Sequence, residues 1–170
     1  MTRVWSEGFE LQDLIGYTYS GVSIQTGIKR SGAASIRTTK TSTYFQKSIT
    51  AISEFYLRFG MYIDTYSTLG RMEIKWFSGA TVLGTLFVSH SGVLSVEVGA
   101  GYGAVATGST TLGLDSWYLI ELHVKIDDST GSIDVKVDGN SDIAYSGDTK
   151  PGFPRTGESL SSLTKIARTA

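Results

Sequence analysis

Polar and apolar side chains alternate most regularly between residues 117 and 140. One face of the first half is apolar, with Tyr118, Ile120, Leu122, Val124 and Ile126, and the other carries Leu119, Glu121, His123, Lys125 and Asp127. A period of two is typical of a half-buried β-strand. Residues 128–131, Asp-Ser-Thr-Gly, suit a turn, and the apolar face resumes at Ile133, Val135 and Val137. The stretch predicts a long antiparallel hairpin that runs into an Asp138-Gly139 turn.

Shorter strand patterns precede this hairpin, separated by glycine-containing turns. They cover residues 9–11, 35–38, 44–49, 54–64, 71–78, 84–89 and 93–98. Many short strands, 20 glycines, two prolines and almost no helical periodicity predict an all-β fold. We therefore expect an antiparallel β-sandwich that forms a single domain over residues 1–170.

The last segment has an ambiguous pattern. Leu160, Leu163 and Ile166 recur every third residue, which suits a helical turn, but the same residues fit an edge strand. We favour the strand, and we expect residues 150–170 to form a C-terminal tail or an edge element.

Composition excludes several kinds of protein. A net charge of -1 is not the basic excess of a nucleic-acid binder, and the absence of cysteine excludes disulfides, thiolate zinc sites and a thiol nucleophile. No apolar run approaches the roughly 20 residues of a membrane-spanning helix. The first residues do not read as a signal peptide. We expect a protein of a virion or an extracellular surface, released by lysis or assembly rather than by secretion.

Candidate catalytic and metal-binding motifs are weak. No two of the seven glutamates lie four residues apart on one strand, as a glucanase acid pair on a single strand requires, and no Gly-x-Ser-x-Gly elbow is present. The glycines at 99, 101 and 103 match a dinucleotide fingerprint by letter, but no helix pattern follows them. Residues 138–142 match the opening of a calcium loop but lack its glycine and its closing glutamate. We expect no enzyme activity and no cofactor, with structural calcium as an open alternative to a solvated turn.

A polar surface with aromatic side chains is the candidate binding site. If residues 54–64 and 71–77 neighbour the long hairpin, eight polar-face residues share one surface: Tyr56, Arg58, Tyr62, Glu73, Lys75, Glu121, His123 and Lys125. Aromatic rings flanked by hydrogen-bonding groups suit a sugar or a protein partner. The same pattern also occurs on a solvated sheet whose opposite charges pair across strands.

The order of these features resembles a known family. Phe9-Glu10, residues 31–37, residues 55–59 and the hairpin with Asp138-Gly139 together resemble the concanavalin A-like lectin/glucanase jelly roll. This family includes the laminin-G-like modules of phage virion and bacterial surface proteins. The resemblance implies a final strand beside the first one, often with an acidic pair. No such pair follows Lys150, so we expect a sheet edge that this final strand does not pair. Either residues 151–170 or another chain would then cover the edge.

These observations lead to three interpretations. The first is a non-catalytic, lectin-like structural module, such as a phage capsid decoration or tail-associated protein, which packs against copies of itself or other virion proteins. The alternative is a carbohydrate-binding module that recognises a cell-surface glycan. The third is an unusual polysaccharide-cleaving enzyme. None of them involves nucleic acid or a membrane.

Overall fold

The computed structural model describes residues 9–38, 43–66, 71–99 and 103–150, together with the backbone of residues 163–169. This part of the chain contains strands and no helix. The strands are β1 (Thr18–Ser20), β2 (Val22–Gln25), β3 (Ser35–Thr38), β4 (Tyr44–Ile52), β5 (Glu54–Tyr62), β6 (Met72–Ser78), β7 (Thr81–Val88), β8 (Val93–Val98), β9 (Ala104–Thr111), β10 (Trp117–Lys125), β11 (Gly131–Val137), β12 (Asn140–Gly147) and β13 (Leu163–Thr169).

The strands form two large antiparallel sheets. A seven-stranded sheet has the order β1-β4-β13-β6-β7-β8-β9, and a four-stranded sheet has the order β12-β11-β10-β5. Strands β2 and β3 make a separate hairpin. The predicted antiparallel β-sandwich is confirmed.

The core lies between the two large sheets. The four-stranded sheet contributes side chains such as Ile120, Leu122 and Val124, which are at most 1% exposed. The seven-stranded sheet contributes Trp76, whose ring centroid lies 6.1 Å from that of Phe55 in the opposite sheet. Each fully buried side chain of this size stabilises the fold by about 1.5–3 kcal/mol.

The long hairpin forms as its alternation predicts. Strands β10 and β11 pair in a register that places Ile120 opposite Val137 and Val124 opposite Ile133. The next turn contains Asp138 and Gly139, with φ angles of 51° and 84°. Asparagine, aspartate and glycine tolerate such left-handed conformations, which tight hairpin turns require.

Asp127 organises the turn between β10 and β11. Its Oδ1 accepts hydrogen bonds from the backbone N–H groups of Ser129 (3.0 Å) and Thr130 (2.8 Å). These bonds, with the Thr130 amide as the largest contribution, lower the pKa of the Asp127 carboxyl from 3.8 to about 2. The acidic turn predicted from residues 128–131 is therefore held by the carboxylate that precedes it.

The last described strand corrects the prediction for the C-terminal segment. Residues 163–169 form the favoured strand, but β13 is neither a tail nor an edge element, because it pairs with β4 on one side and β6 on the other. A closing strand is therefore present, and it lies beside β4 rather than beside the first strand. Local periodicity identifies a strand but contains no information about its distant partners. Residues 151–162, predicted to cover an edge, lie outside the described residues.

One strand prediction was wrong, and strand β9 was not predicted. Residues 9–11 form a turn instead of a strand, in which the Gln12 amide donates to the Phe9 carbonyl at 3.0 Å. Residues 104–111, which showed no clear strand pattern, form β9 at one edge of the seven-stranded sheet. The residues of this strand are mostly small or polar, so apolar and polar positions do not alternate clearly along it.

The carboxylate of Asp142 connects β9 to the four-stranded sheet. Asp142 of β12 accepts hydrogen bonds at Oδ1 from the backbone N–H groups of Ser109 (3.0 Å) and Thr110 (2.8 Å). A Cβ atom at Gly108 would lie 2.0 Å from Asp142 Oδ2, so this close approach requires glycine. The contact partly satisfies the backbone of β9 at an otherwise open edge.

Candidate functional site

The structure divides the eight predicted site residues between two surfaces. Tyr56, Arg58 and Tyr62 on β5 lie beside β10, which carries the other three predicted residues of the hairpin, Glu121, His123 and Lys125. Glu73 and Lys75 lie on β6, which belongs to the seven-stranded sheet. The prediction of one shared surface was therefore wrong, because β6 pairs with β13 and β7 and not with the hairpin.

The two groups face away from each other across the sandwich. Phe55 and Trp76 meet in the core, so their sequence neighbours Tyr56 and Lys75 point to opposite outer faces. We call the outer face of the four-stranded sheet around Tyr56, His123 and Glu54 the Tyr56 face. We call the outer face of the seven-stranded sheet around Arg71 and Glu97 the Arg71 face.

A connected ion network lies on the Arg71 face. Arg71 Nη1 and Nη2 donate to the two carboxylate oxygens of Glu97 at 2.7 and 2.8 Å. Arg71 Nε donates to Glu73 Oε1 at 2.8 Å, and Lys75 Nζ lies 2.7 Å from Glu73 Oε2. The four charged side chains form one chain of contacts across three strands. Bidentate arginine–carboxylate pairs fix geometry as well as adding energy.

Arg71 also covers an aromatic ring. Its guanidinium carbon lies 4.2 Å from the centroid of the Phe87 ring. The hydrogen bond to Glu97, the largest cause, raises the pKa of Arg71 above its usual value, although desolvation acts in the opposite direction. The guanidinium is therefore positively charged and held in place from three directions.

The Arg71 face is sheltered although it points away from the core. Thr85, Ser95 and Glu97 occupy outward positions in register with Lys75 and Phe87, yet they are only 1–5% exposed. On the Tyr56 face, by contrast, Tyr56 is 55% exposed. Polar groups in a sheltered site make stronger electrostatic contacts than groups in open solvent.

The cations of the Arg71 face are more accessible than its carboxylates. The side chains of Arg71 and Lys75 are 35% and 26% exposed, against 5% for Glu97 and 12% for Glu73. A ligand on this face would therefore contact the N–H donors of Arg71 and Lys75. The carboxylates of Glu73 and Glu97 lie beneath these donors and hold them in place.

Sequence reasoning missed three members of this site: Arg71, Phe87 and Glu97. Ser95 and Glu97 are two positions apart in a strand whose other side chains are apolar. This spacing places both on one face and could have indicated an outward carboxylate. No local signal places Arg71 next to Glu97, because the two residues are 26 positions apart.

The Tyr56 face is built around a stacked pair of rings. Tyr56 and His123 are direct partners on β5 and β10, and their rings lie 4.1 Å apart at an interplanar angle of 9°. His123 Nε2 lies 2.8 Å from Glu54 Oε1, and Nδ1 lies 3.2 Å from Asp134 Oδ2. The imidazole is therefore held by a carboxylate at each ring nitrogen.

The remaining predicted residues of this face have separate partners. Arg58 Nε lies 3.4 Å from Glu121 Oε1, which makes a cross-strand ion pair. Tyr62 Oη donates to Asp115 Oδ1 at 3.0 Å, and this hydrogen bond raises the pKa of the Tyr62 phenol. Lys125 is exposed and lies opposite Glu54 in the register.

The turn that resembled a calcium loop uses its carboxylates elsewhere. Asp138 Oδ1 accepts from the Leu119 amide at 2.7 Å, while Asp142 binds the amides of β9. Within the described ranges, no cluster of three or more histidine, aspartate or glutamate side chains is arranged to hold a metal ion. The same part of the chain holds no helix long and apolar enough to cross a membrane.

Comparisons with known proteins support the fold. No protein-family model matches the chain, and no curated protein matches it significantly in sequence. Among solved structures, a sialidase is 15% identical with a TM-score of 0.62, and the match covers 88% of this chain but only 13% of the sialidase. The carbohydrate-binding module CBM66 from Bacillus subtilis is 13% identical with a TM-score of 0.56, and the match covers 91% of this chain and 87% of the module.

These identities are too low to transfer an activity, and they show the fold alone. The chain spans about an eighth of the sialidase that it matches. The predicted resemblance is confirmed at the level of the fold, whereas its phage and bacterial surface context stays a prediction. The chain has an antiparallel β-sandwich fold similar to that of CBM66 and of the matched part of the sialidase.

Proposed function

We propose that this protein is a non-catalytic carbohydrate-binding module that binds a glycan on its Arg71 face. The observation that carries the proposal is the sheltered ion network of Arg71, Glu73, Lys75 and Glu97 on the outside of the seven-stranded sheet. The similarity in fold to a carbohydrate-binding module supports it.

A fixed network suits sugar recognition because hydroxyl groups require donors and acceptors at defined positions. Glu97 and Glu73 immobilise the guanidinium before any ligand arrives, so binding does not have to order it. The amine of Lys75 has three protons, and among the described residues it has one close carboxylate partner, Glu73, at 2.7 Å. Arg71 and Lys75 therefore act as donors to the ring and hydroxyl oxygens of the sugar.

The same contacts argue against cleavage of the bound glycan. A glycosidase needs one carboxylic acid that delivers its proton to the glycosidic oxygen. Both oxygens of Glu97 accept hydrogen bonds from Arg71, and the oxygens of Glu73 face Arg71 and Lys75. Neither carboxylate can present a proton without breaking these contacts. We therefore favour binding over catalysis, and assays for the release of reducing ends from polysaccharides test this choice.

The interpretation as a phage virion module gains no support from contacts within the described ranges. Packing against copies of itself, assembly with other virion proteins and location on a virion or extracellular surface stay predictions. The carbohydrate-binding alternative accounts for the sheltered network, so it is the function that we propose.

A glycan array with neutral and acidic sugars tests the proposal, followed by calorimetric titration of the best ligand. Lys75→Met removes a donor and is expected to weaken binding about tenfold, as for a hydrogen bond to a charged group. Arg71→Lys keeps the charge but not the bidentate geometry, and we expect a similar loss. Lys29→Met, which removes an exposed lysine in the loop between β2 and β3, is the matched control. The proposal is refuted if no glycan binds, or if both Arg71-face variants bind as tightly as the control.

A further inference from the structure

The Tyr56 face has a ring that is both exposed and rigid. Tyr56 is 55% exposed, although one side of its ring is stacked on His123. The imidazole cannot easily rotate, because Glu54 and Asp134 hold its two nitrogens. The side chains of Tyr56 and His123 are therefore already ordered, and a ligand that stacks on the free side of the Tyr56 ring does not have to order them on binding.

The surroundings of Tyr56 suit a sugar better than a protein partner. Of the large apolar side chains that the described part of the chain exposes, Tyr56 alone lies on β5, β10 or β11. The core of a stable protein interface requires a larger apolar area with few charges. A pyranose ring requires one aromatic surface for its C–H groups and polar neighbours for its hydroxyls.

The charges of this face are balanced. The outward positions of β5, β10 and β11 carry three carboxylates and three permanent cations: Glu54, Glu121, Asp134, Arg58, Lys125 and Lys136. A balanced face gives no net attraction to an anionic polymer such as a nucleic acid or an acidic glycan. The complementary ligand is therefore a neutral glycan.

We propose that Tyr56 and His123 form a second carbohydrate platform, for neutral sugars, on the face opposite Arg71. The class of ligand rests on the proposed function, whereas the site itself has no residue in common with the Arg71 face. Two sites on opposite sides of one sandwich allow a single molecule to bridge two glycan chains. Such bridging increases the strength of attachment without any new contact.

Amide and side-chain NMR of the full chain tests this proposal, with hexasaccharides of glucose, mannose, galactose and N-acetylglucosamine as probes at millimolar concentration. We expect at least one probe to shift the signals of Tyr56 and His123. Tyr56→Ala should weaken this binding roughly two- to tenfold, the range for a lost aromatic contact. Tyr56→Phe should retain it, because the ring remains. Tyr19→Ala removes another exposed tyrosine, distant on β1, and is the matched control.

The outcomes separate this proposal from the proposed function. Loss of the shifts at His123 in Tyr56→Ala, with the shifts at Arg71 unchanged, supports the second platform. Shifts at Tyr56 that persist in Lys75→Met support it as well, even if the Arg71 face binds no sugar at all. The second platform is overturned if no probe shifts Tyr56, or if Tyr56→Ala binds like Tyr19→Ala. A failure confined to the Arg71 face overturns only the proposed function.

Discussion

Replacing Arg71 by methionine should destabilise the protein more than replacing its partner Glu97. The carboxylate of Glu97 is 5% exposed and accepts two hydrogen bonds from Arg71. Without Arg71, this carboxylate remains in a sheltered site without the cation that compensates its charge. The opposite change, Glu97→Met, places an apolar side chain in the sheltered position and leaves a guanidinium that is 35% exposed and still contacts Glu73.

The magnitude follows from this asymmetry. Removing one partner of a fully buried ion pair costs about 3–5 kcal/mol, and losing a hydrogen bond to a charged group costs about 1.5–3 kcal/mol. Because Arg71 is partly solvated, we expect about 2–3 kcal/mol for Arg71→Met. For Glu97→Met we expect about 0–1 kcal/mol, since an apolar replacement of a buried charge is often nearly neutral. The double variant should resemble Glu97→Met, which gives a coupling energy of about 2 kcal/mol.

Urea unfolding followed by tryptophan fluorescence measures these free energies of unfolding. In a thermal scan, the loss in Arg71→Met corresponds to roughly 5–10 °C for a chain of this length. Lys136→Met, an exposed lysine on the other sheet, is the control for loss of a cation and should change stability by less than about 0.5 kcal/mol. The reasoning is refuted if Glu97→Met costs as much as Arg71→Met, or if the two effects simply add.

Three further predictions concern the core, the seam between the sheets and the acidic turn. In Gly84→Ala the new Cβ would lie 2.3 Å from the buried ring of Trp76, so we expect a loss of about 1–3 kcal/mol in urea unfolding, and an unchanged stability would contradict the packing. Asp142→Ala should cost about 1.5–3 kcal/mol and accelerate hydrogen exchange of the β9 amides that it binds, while the other strands stay protected. Since folding lowers the pKa of Asp127 from 3.8 to about 2, its carboxylate stabilises the protein above about pH 4, and this contribution disappears as the pH falls through 2. Asp127→Asn should therefore lose less stability than the unmodified chain as the pH falls from 4 to 2. Thermal unfolding at each pH measures this loss, and an equal decrease in Tm for the two proteins would contradict the prediction.

The hairpin was predictable because its information is local. Strands β10 and β11 are joined by one short turn, so the alternation of each arm and the turn residues determine the pairing. The partners of β6 were not predictable in this way. Its alternation identifies which side chains point outward, but the choice between the two sheets depends on contacts with β7 and β13. For this reason Glu73 and Lys75 were assigned to the wrong surface.

The ion network of the Arg71 face was harder to predict from the sequence than the Tyr56 face. Tyr56 and His123 are cross-strand partners of a strand pair whose alternation is strong on both sides. Glu97 meets Arg71 only because β7 lies between β6 and β8 and because the long arginine side chain crosses Phe87. Such a contact depends on strand order and on side-chain reach, which periodicity does not encode.

The interior position of β13 has a consequence for the order of folding. Its partners β4 and β6 are separated from it by more than 80 residues of chain, so both sides of the strand form through contacts that are distant in sequence. Such contacts close slowly, because the entropy of a long loop is lost before any pairing energy is gained. Until residues 163–169 insert, β4 and β6 each present an unpaired edge. Glu73 and Lys75 lie opposite Thr169 and Ala167 in the register, so the Arg71 face is completed only by this late step. The exposure of these unpaired edges and the assembly of the Arg71 face therefore end at the same event.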